Sequence, residues 1–553
     1  MNMVPISSHL VMLVLACLSH ASASVLPHTR DAAAHSITNA HIFAHTGLAI
    51  PDALSENVLT LGSHPNPDVF HSPARARLQV REAQRESSEI RKRWWQMWDR
   101  DRPTTNTVQS GGVVTNAVTG TIFSGVYPVV NVTWGNKAGE AAGGQTIVSY
   151  IDTGSSDTFA VSNRFVCQGL PSIKANTLSD DTLPTGGSTH NLTQASCNFG
   201  PLYDVDKGNF TNITSQELRV AYSPENEALN GSMVFAPITV GGLTVPRQQV
   251  AIVEEAVWLG DGVTSGLLGL SFPAVTSAVM RSSRGTDAPR FVQYDPFFTN
   301  LAKQGKSKQN RQQNQRQNND TIAPVFTLAI DRVPPGTPHW KSAGALALGG
   351  LVPSSYYTGN FTSVPIETEY GILNNPNSGP SFYATTVQLV YGPPRTNISS
   401  AVSVDIAIKS NNLTTSPVFQ TIVDSGTSPN FVPQVAAIPI NSLFVPPARF
   451  NETLNYFVVD CDAKAPFVAY RIGGTTANGV TTGGVLMPFD PRDMIVRSLN
   501  GRPGYENVCF SSIANGGEVA GNLQVIGATW QRNYVVAYDQ GRNMVHFANR
   551  RPY

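Results

Sequence analysis

Along most of the chain, runs of Val, Ile, Thr and Ser alternate with Gly- and Pro-containing breaks, which predicts short strands joined by turns and little helix. Tyr127 to Trp134 and Ser381 to Gly392 read as strands, and Tyr534 to Phe547 as a strand pair turning at Asp539 to Asn543. Glu217 to Tyr222 followed by Gly231 to Gly242 reads as a β-hairpin with its tip between them. One pattern occurs twice. Thr146 to Val161 is TIVSYIDTGSSDTFAV, and Gln420 to Pro433 is QTIVDSGTSPNFVP. Each is a β-prone apolar run, a tight turn carrying an acid, and a second apolar run. Gly154 and Gly426 let the chain turn back behind Asp152 and Asp424, and the adjacent hydroxyls can donate to a carboxylate without crowding it. A single Asp-Ser/Thr-Gly is an ordinary turn. Two in the same apolar context, one in each half, are a far more specific signal.

With 553 residues, 41% hydrophobic and 14% charged, the chain can bury a large core and is expected to form two lobes. Its net charge of zero gives no basic footprint for nucleic acid. Met1 to Ala23 has an apolar centre and a small-residue cleavage site at Ala21-Ser22-Ala23, as in a secretory signal. No later run is long and apolar enough for a membrane span, and the polar end does not suit a lipid anchor. Cys17 lies in the signal, so Cys167, Cys197, Cys461 and Cys509 remain, and four cysteines admit three pairings. All ten Asn-x-Ser/Thr sequons fall after the leader. Residues 24–93 differ in composition from the remainder of the chain, with His, Ala and Arg in place of Val and Gly. Arginines punctuate a helical-looking stretch that ends at the dibasic pair Lys92-Arg93, so this segment reads as a propeptide, with 94–119 as an extension of the mature chain. Eight of the eleven histidines precede Arg93. The mature chain keeps His190, His339 and His546, none in a metal-binding or triad motif, so no metal site or imidazole-based nucleophile is expected.

The repeated acid turn resembles that of the pepsin-like aspartic endopeptidases, in which two β-lobes each contribute one catalytic Asp. The similarity covers most of Gly120 to Tyr553 and includes GLLGLSFP at Gly266 to Pro273, the helix-like DPFFTNLAKQG at Asp295 to Gly305, AGALALGGLVPSSYYTGNFTSVP at Ala343 to Pro365, and Val525-Ile526-Gly527. It implies an all-β bilobal fold with the cleft between the lobes: 120–328 as the first lobe, containing a disordered polar insertion at 306–320, and 329–553 as the second. Of the possible pairings, Cys167–Cys197 and Cys461–Cys509, one per lobe, are favoured; the second resembles the family's second-lobe bridge, and the first closes a longer loop than the family suggests. Tyr222 stands where the family has its flap tyrosine. The sequence departs from the family at the flap tip, Ser223-Pro224-Glu225-Asn226; at Phe159, where a Trp often bonds the flap tyrosine; and at Ala528, where Asp is common.

What the resemblance implies chemically is hydrolysis by a water held between Asp152 and Asp424, which share one proton and form no covalent intermediate. Ser155 and Thr427 would bond the outer carboxylate oxygens, and Thr153 and Ser425 would brace one turn against the other. Without metal or cofactor, a monomer of this kind would take protein or peptide substrates, with its own propeptide as inhibitor, and work in acid. It would be secreted, resembling filamentous-fungal members, with a vacuole as the other destination. Two other classes remain open. One is a proteinase-like binding protein that lost turnover, suggested by Phe159 and the altered flap. The other is a paired-carboxylate glycosidase, which the duplicated turn does not favour.

Overall fold

The computed structural model describes residues 128–135, 144–168, 191–222, 227–258, 262–281, 290–309, 322–332, 344–367, 380–395, 403–452, 456–477, 480–497, 508–518 and 523–551. It also gives the backbone of short strands at 35–37, 58–60, 62–63, 121–122 and 125–126. The dibasic site, the helical-looking stretch before it, His190 and His339 lie outside the described residues.

Three sheets carry the architecture. The first half forms an eleven-stranded sheet, the second a seven-stranded one, and another seven-stranded sheet draws strands from both. In that shared sheet Val325–Ile330 lies between Gly344–Leu348 and Tyr534–Asp539, with Met544–Arg550 and Tyr357–Pro365 beyond them. The first three strands are buried at every position, as expected of near-continuous apolar runs with both faces covered. Their side chains alternate between faces. Phe326, Leu328, Val536 and Tyr538 join the core that also takes residues of both halves, whereas Ala329, Ala345, Val535 and Ala537 pack with Leu351, Val352 and Phe361. The division expected at 328/329 thus falls inside a strand of this sheet.

Leader residues lie at both edges of the same sheet. His35–Ile37 pairs with Tyr357–Pro365, and Val58–Thr60 pairs with Gly344–Leu348.

The two acid-bearing halves repeat one plan. Gln145–Asp152 runs parallel to Gly266–Gly269, which is antiparallel to Phe159–Gln168. Thr414–Val423 runs parallel to Val525–Ile526, which is antiparallel to Asn430–Val432. The expected hairpin is present but longer. Thr211–Tyr222 pairs with Glu227–Val240 in a register that sets Tyr222 opposite Glu227, so the second strand begins at Glu227 and not at Gly231. The polar residues Glu227 and Asn230 interrupt the apolar pattern there, which hid the first part of the strand. The helix expected over Asp295 to Gly305 starts at Phe297 and runs to Gln309, taking in the first residues of the tract read as disordered; 310–320 lie outside the described residues. The structure joins Cys167 to Cys197 and Cys461 to Cys509, one bridge in each half.

Candidate active site

Asp152 ends strand Gln145–Asp152, and Asp424 comes directly after Thr414–Val423. Each is pinned by the neighbouring apolar-apolar-Gly strand: Leu270 N–H donates to the Asp152 carbonyl (2.8 Å), and Asp424 N–H donates to the Ile526 carbonyl (3.0 Å). The turns then present the two carboxyls with the same donors. Gly154 N–H reaches Asp152 Oδ1 at 2.8 Å and Ser155 Oγ reaches Oδ2 at 2.5 Å. Gly426 N–H reaches Asp424 Oδ1 at 2.8 Å and Thr427 Oγ1 reaches Oδ2 at 2.6 Å.

A reciprocal brace locks one turn to the other. Thr153 Oγ1 donates to the Val423 carbonyl (2.9 Å) and accepts from Ser425 N–H (2.9 Å). Ser425 Oγ donates to the Ile151 carbonyl (2.8 Å) and accepts from Thr153 N–H (3.2 Å). Thr and Ser suit this place because one small hydroxyl can donate and accept at once. Gly154 and Gly426 are required for a reason other than turning: neither has a positive φ. A methyl on Gly154 would stand 2.5 Å from Asp424 Cγ, and one on Gly426 would stand 2.4 Å from Asp152 Oδ1. Each glycine is the space into which the opposite carboxyl fits.

Both acids are fully buried. Burial, and next the charge of Asp152, push the Asp424 carboxyl well above the ordinary value of 3.8, against the lowering effect of the Thr427 hydrogen bond. Each carboxyl sits against the glycine of the opposite turn, so the two lie close together. A raised value means that the folded state holds this proton more tightly than the unfolded chain. Stability from this group is therefore complete below 3.8 and is lost as pH rises towards the raised value. Asp424→Asn is expected to flatten that decline and to melt higher than the native protein near neutrality. Melting curves of the two proteins across the acid-to-neutral range check it, and parallel curves would contradict it.

The remaining expected site residues are spread over several elements. Tyr222 ends its hairpin strand, and its side chain and the tip 223–226 lie outside the described residues. Phe159 is buried at the start of Phe159–Gln168, paired in register with Leu267 and Ala251. Ala528 is buried, and its N–H donates to the Thr427 carbonyl (2.7 Å), so it backs the second turn through its backbone. His546 meets Ser363 Oγ at 2.7 Å through Nδ1 and lies 3.7 Å from Asp539 through Nε2, a trio with the residue types of a hydrolytic triad. The His546–Asp539 separation is beyond a hydrogen bond and Asp539 is bonded by Arg542 instead, so the three form a structural cluster within the shared sheet.

Sequence reading missed Asp157, a buried carboxylate that accepts from Ser277 N–H (2.9 Å), Ser277 Oγ (2.6 Å) and Tyr294 OH (2.7 Å). Its place five residues after Asp152 was visible, but its partners lie more than a hundred residues away. It also missed Gln531, Tyr538, Tyr383 and Gln540, whose signal was a polar residue inside or beside an apolar run.

The family model of eukaryotic aspartyl proteases matches residues 141–550. The chain belongs to that family. Among curated proteins, this aspartyl protease is 30% identical over 408 residues to a probable aspartic-type endopeptidase of Aspergillus fumigatus, covering 73% of this chain and 76% of that one. It is 23% identical over 340 residues to pepsin A of Rhinolophus ferrumequinum, covering 61% and 67% of the two chains. An aspartic proteinase of Irpex lacteus has a solved structure 18% identical, with a TM-score of 0.47, covering 77% of this chain and 94% of that one. The protein is thus an aspartic-type endopeptidase with the bilobal all-β fold, and its substrates are peptides. No helix among the described residues is long and apolar enough to cross a membrane.

Proposed function

We propose that this protein is a secreted endopeptidase that cleaves proteins in acid with Asp152 and Asp424 as its catalytic pair. The observation that carries the reading is the pair itself: two buried carboxyls, each seated against the opposite turn's glycine and each held by one glycine N–H and one hydroxyl. Two like charges this close in a dry site cannot both persist, so one proton is shared and the pair titrates as a unit. The ionised member takes a proton from a water between them as that water attacks the scissile carbonyl carbon. The protonated member donates to the carbonyl oxygen and stabilises the tetrahedral diol, which collapses with transfer of a proton to the leaving amine. The extended substrate lies in the groove between the lobes, held by backbone hydrogen bonds, with alternate side chains in apolar pockets.

The signal at 1–23 is removed on secretion, and the propeptide 24–93 inhibits the enzyme until it is cut at Lys92-Arg93. Pairing of leader strands with both edges of the shared sheet supports a leader that folds with the lobes it inhibits. Two disulfides and exposed sequon asparagines at 209, 212, 230, 360 and 412 support an extracellular, glycosylated protein. The test is digestion of denatured haemoglobin or casein by the processed protein at acid pH, with and without a statin-type transition-state mimic. Cleavage that the mimic stops is expected. Tight binding of the mimic without cleavage would favour a binding protein.

A further inference from the structure

Beneath the two acid turns, four buried polar side chains stand among aromatic rings. Tyr538 belongs to strand Tyr534–Asp539, with Gln540 just after it; Gln531 ends the short helix Ala528–Gln531, and Tyr383 precedes strand Ala384–Gly392. None is more than 6% exposed. The Tyr383 and Tyr538 rings meet edge to face at 4.7 Å, and Tyr538 stacks on Phe326 at 4.8 Å. Apolar residues of similar size would fill these places without desolvating hydroxyls and amides, so the polar groups there must serve a purpose beyond filling space.

Their hydrogen bonds converge on the backbone that carries the acids. On the first side Leu270, whose N–H holds the Asp152 carbonyl, has its own carbonyl bonded by Tyr383 OH (2.6 Å) and Gln540 Nε2 (3.4 Å). Gln540 Nε2 also donates to the Tyr383 hydroxyl (2.8 Å). On the second side the Ile526 carbonyl, which receives Asp424 N–H, also receives Gln531 Nε2 (3.2 Å), and Gln531 Oε1 accepts from Tyr538 OH (2.9 Å). The two sides meet where the Tyr383 and Tyr538 rings pack edge to face, so the ladder under the second turn rests against the one under the first.

We propose that Gln531, Tyr538, Tyr383 and Gln540 are positioning residues that hold the two acid turns at the separation which proton sharing requires. They act through the Leu270 and Ile526 carbonyls. Loss of the Tyr538 hydroxyl leaves Gln531 Oε1 without its donor, and Gln531 then holds the Ile526 carbonyl less firmly. The turns then gain slack, and the carboxyls part. Their mutual repulsion weakens, so the shared proton leaves at lower pH, and the attacking water is less well aimed. The peptide groove is untouched.

The inference rests on the two-aspartate reading, so the processed enzyme is assayed per active site, counted by titration with a statin-type inhibitor. Tyr538→Phe and Gln531→Met are each expected to lower kcat about tenfold, a tenth or less of the rate then remaining, with KM within about twofold. The alkaline limb of the kcat profile should move to lower pH in both. The double variant should be no worse than the poorer single one, because the pair acts as a unit. Unchanged kcat and limb position, or a lowered Tm with native kcat per titrated site, would overturn the proposal. Should Tyr538→Phe give too little folded enzyme to titrate, Gln531→Met and Tyr383→Phe decide by the same criteria. Peptide cleavage that survives Asp152→Asn would sink the two-aspartate reading itself, whatever the ladder variants do.

Discussion

Replacing Asp152 or Asp424 with Asn is expected to lower kcat/KM for peptide hydrolysis by about 10⁴-fold while the lobes still fold. An amide keeps the shape of the carboxyl and one acceptor oxygen, so much of the donor set from Gly154, Ser155, Gly426 and Thr427 can still be met. It can neither take a proton from the attacking water nor pass one to the carbonyl oxygen. On the proposed sharing of one proton, the double variant should be scarcely worse than either single one. Steady-state rates on purified variants, with melting curves to confirm folding, check both statements. A single variant keeping more than about a tenth of native activity would contradict them.

The second largest effect is expected at the glycines. An alanine at 154 or 426 places a methyl within van der Waals overlap of the opposite carboxyl. Elsewhere a turn could yield, but here the Thr153–Ser425 brace fixes both backbones from below. The carboxyls must therefore splay. Gly154→Ala and Gly426→Ala should each lose about 10²-fold in kcat, with roughly 1–3 kcal/mol of stability lost to overpacking. Asp424 should also give up its proton at lower pH, since the neighbouring charge has moved away. Near-native rates in either variant would mean that the carboxyls are not packed against the glycines as described.

The acid turns were legible because their chemistry is local. Asp, glycine and hydroxyl all lie within four residues, and the duplication removed the ambiguity of a single short motif. Strands such as Pro128–Trp134 and Tyr534–Asp539 were legible for the same reason, each being one uninterrupted apolar or alternating run. The function of the glycines was less so. Sequence suggests a bend, whereas their place is set by a carboxyl about 270 residues away in the chain. The hairpin strand starting at Glu227 was hidden by the polar residues Glu227 and Asn230. Tyr383, Gln531, Tyr538 and Gln540 read as ordinary core or strand-end residues until the shared sheet brings them under the turns, since nothing in their own neighbourhoods marks the carbonyls they reach.

Proton sharing between Asp152 and Asp424 is the property on which the proposed activity depends, and the pH dependence of kcat/KM for the processed enzyme, normalised to titrated sites, tests it most directly. Buried Asp424 with a charged neighbour should sustain cleavage in acid and lose it as pH rises and one shared proton departs. A rate that stays level up to neutral pH would contradict it.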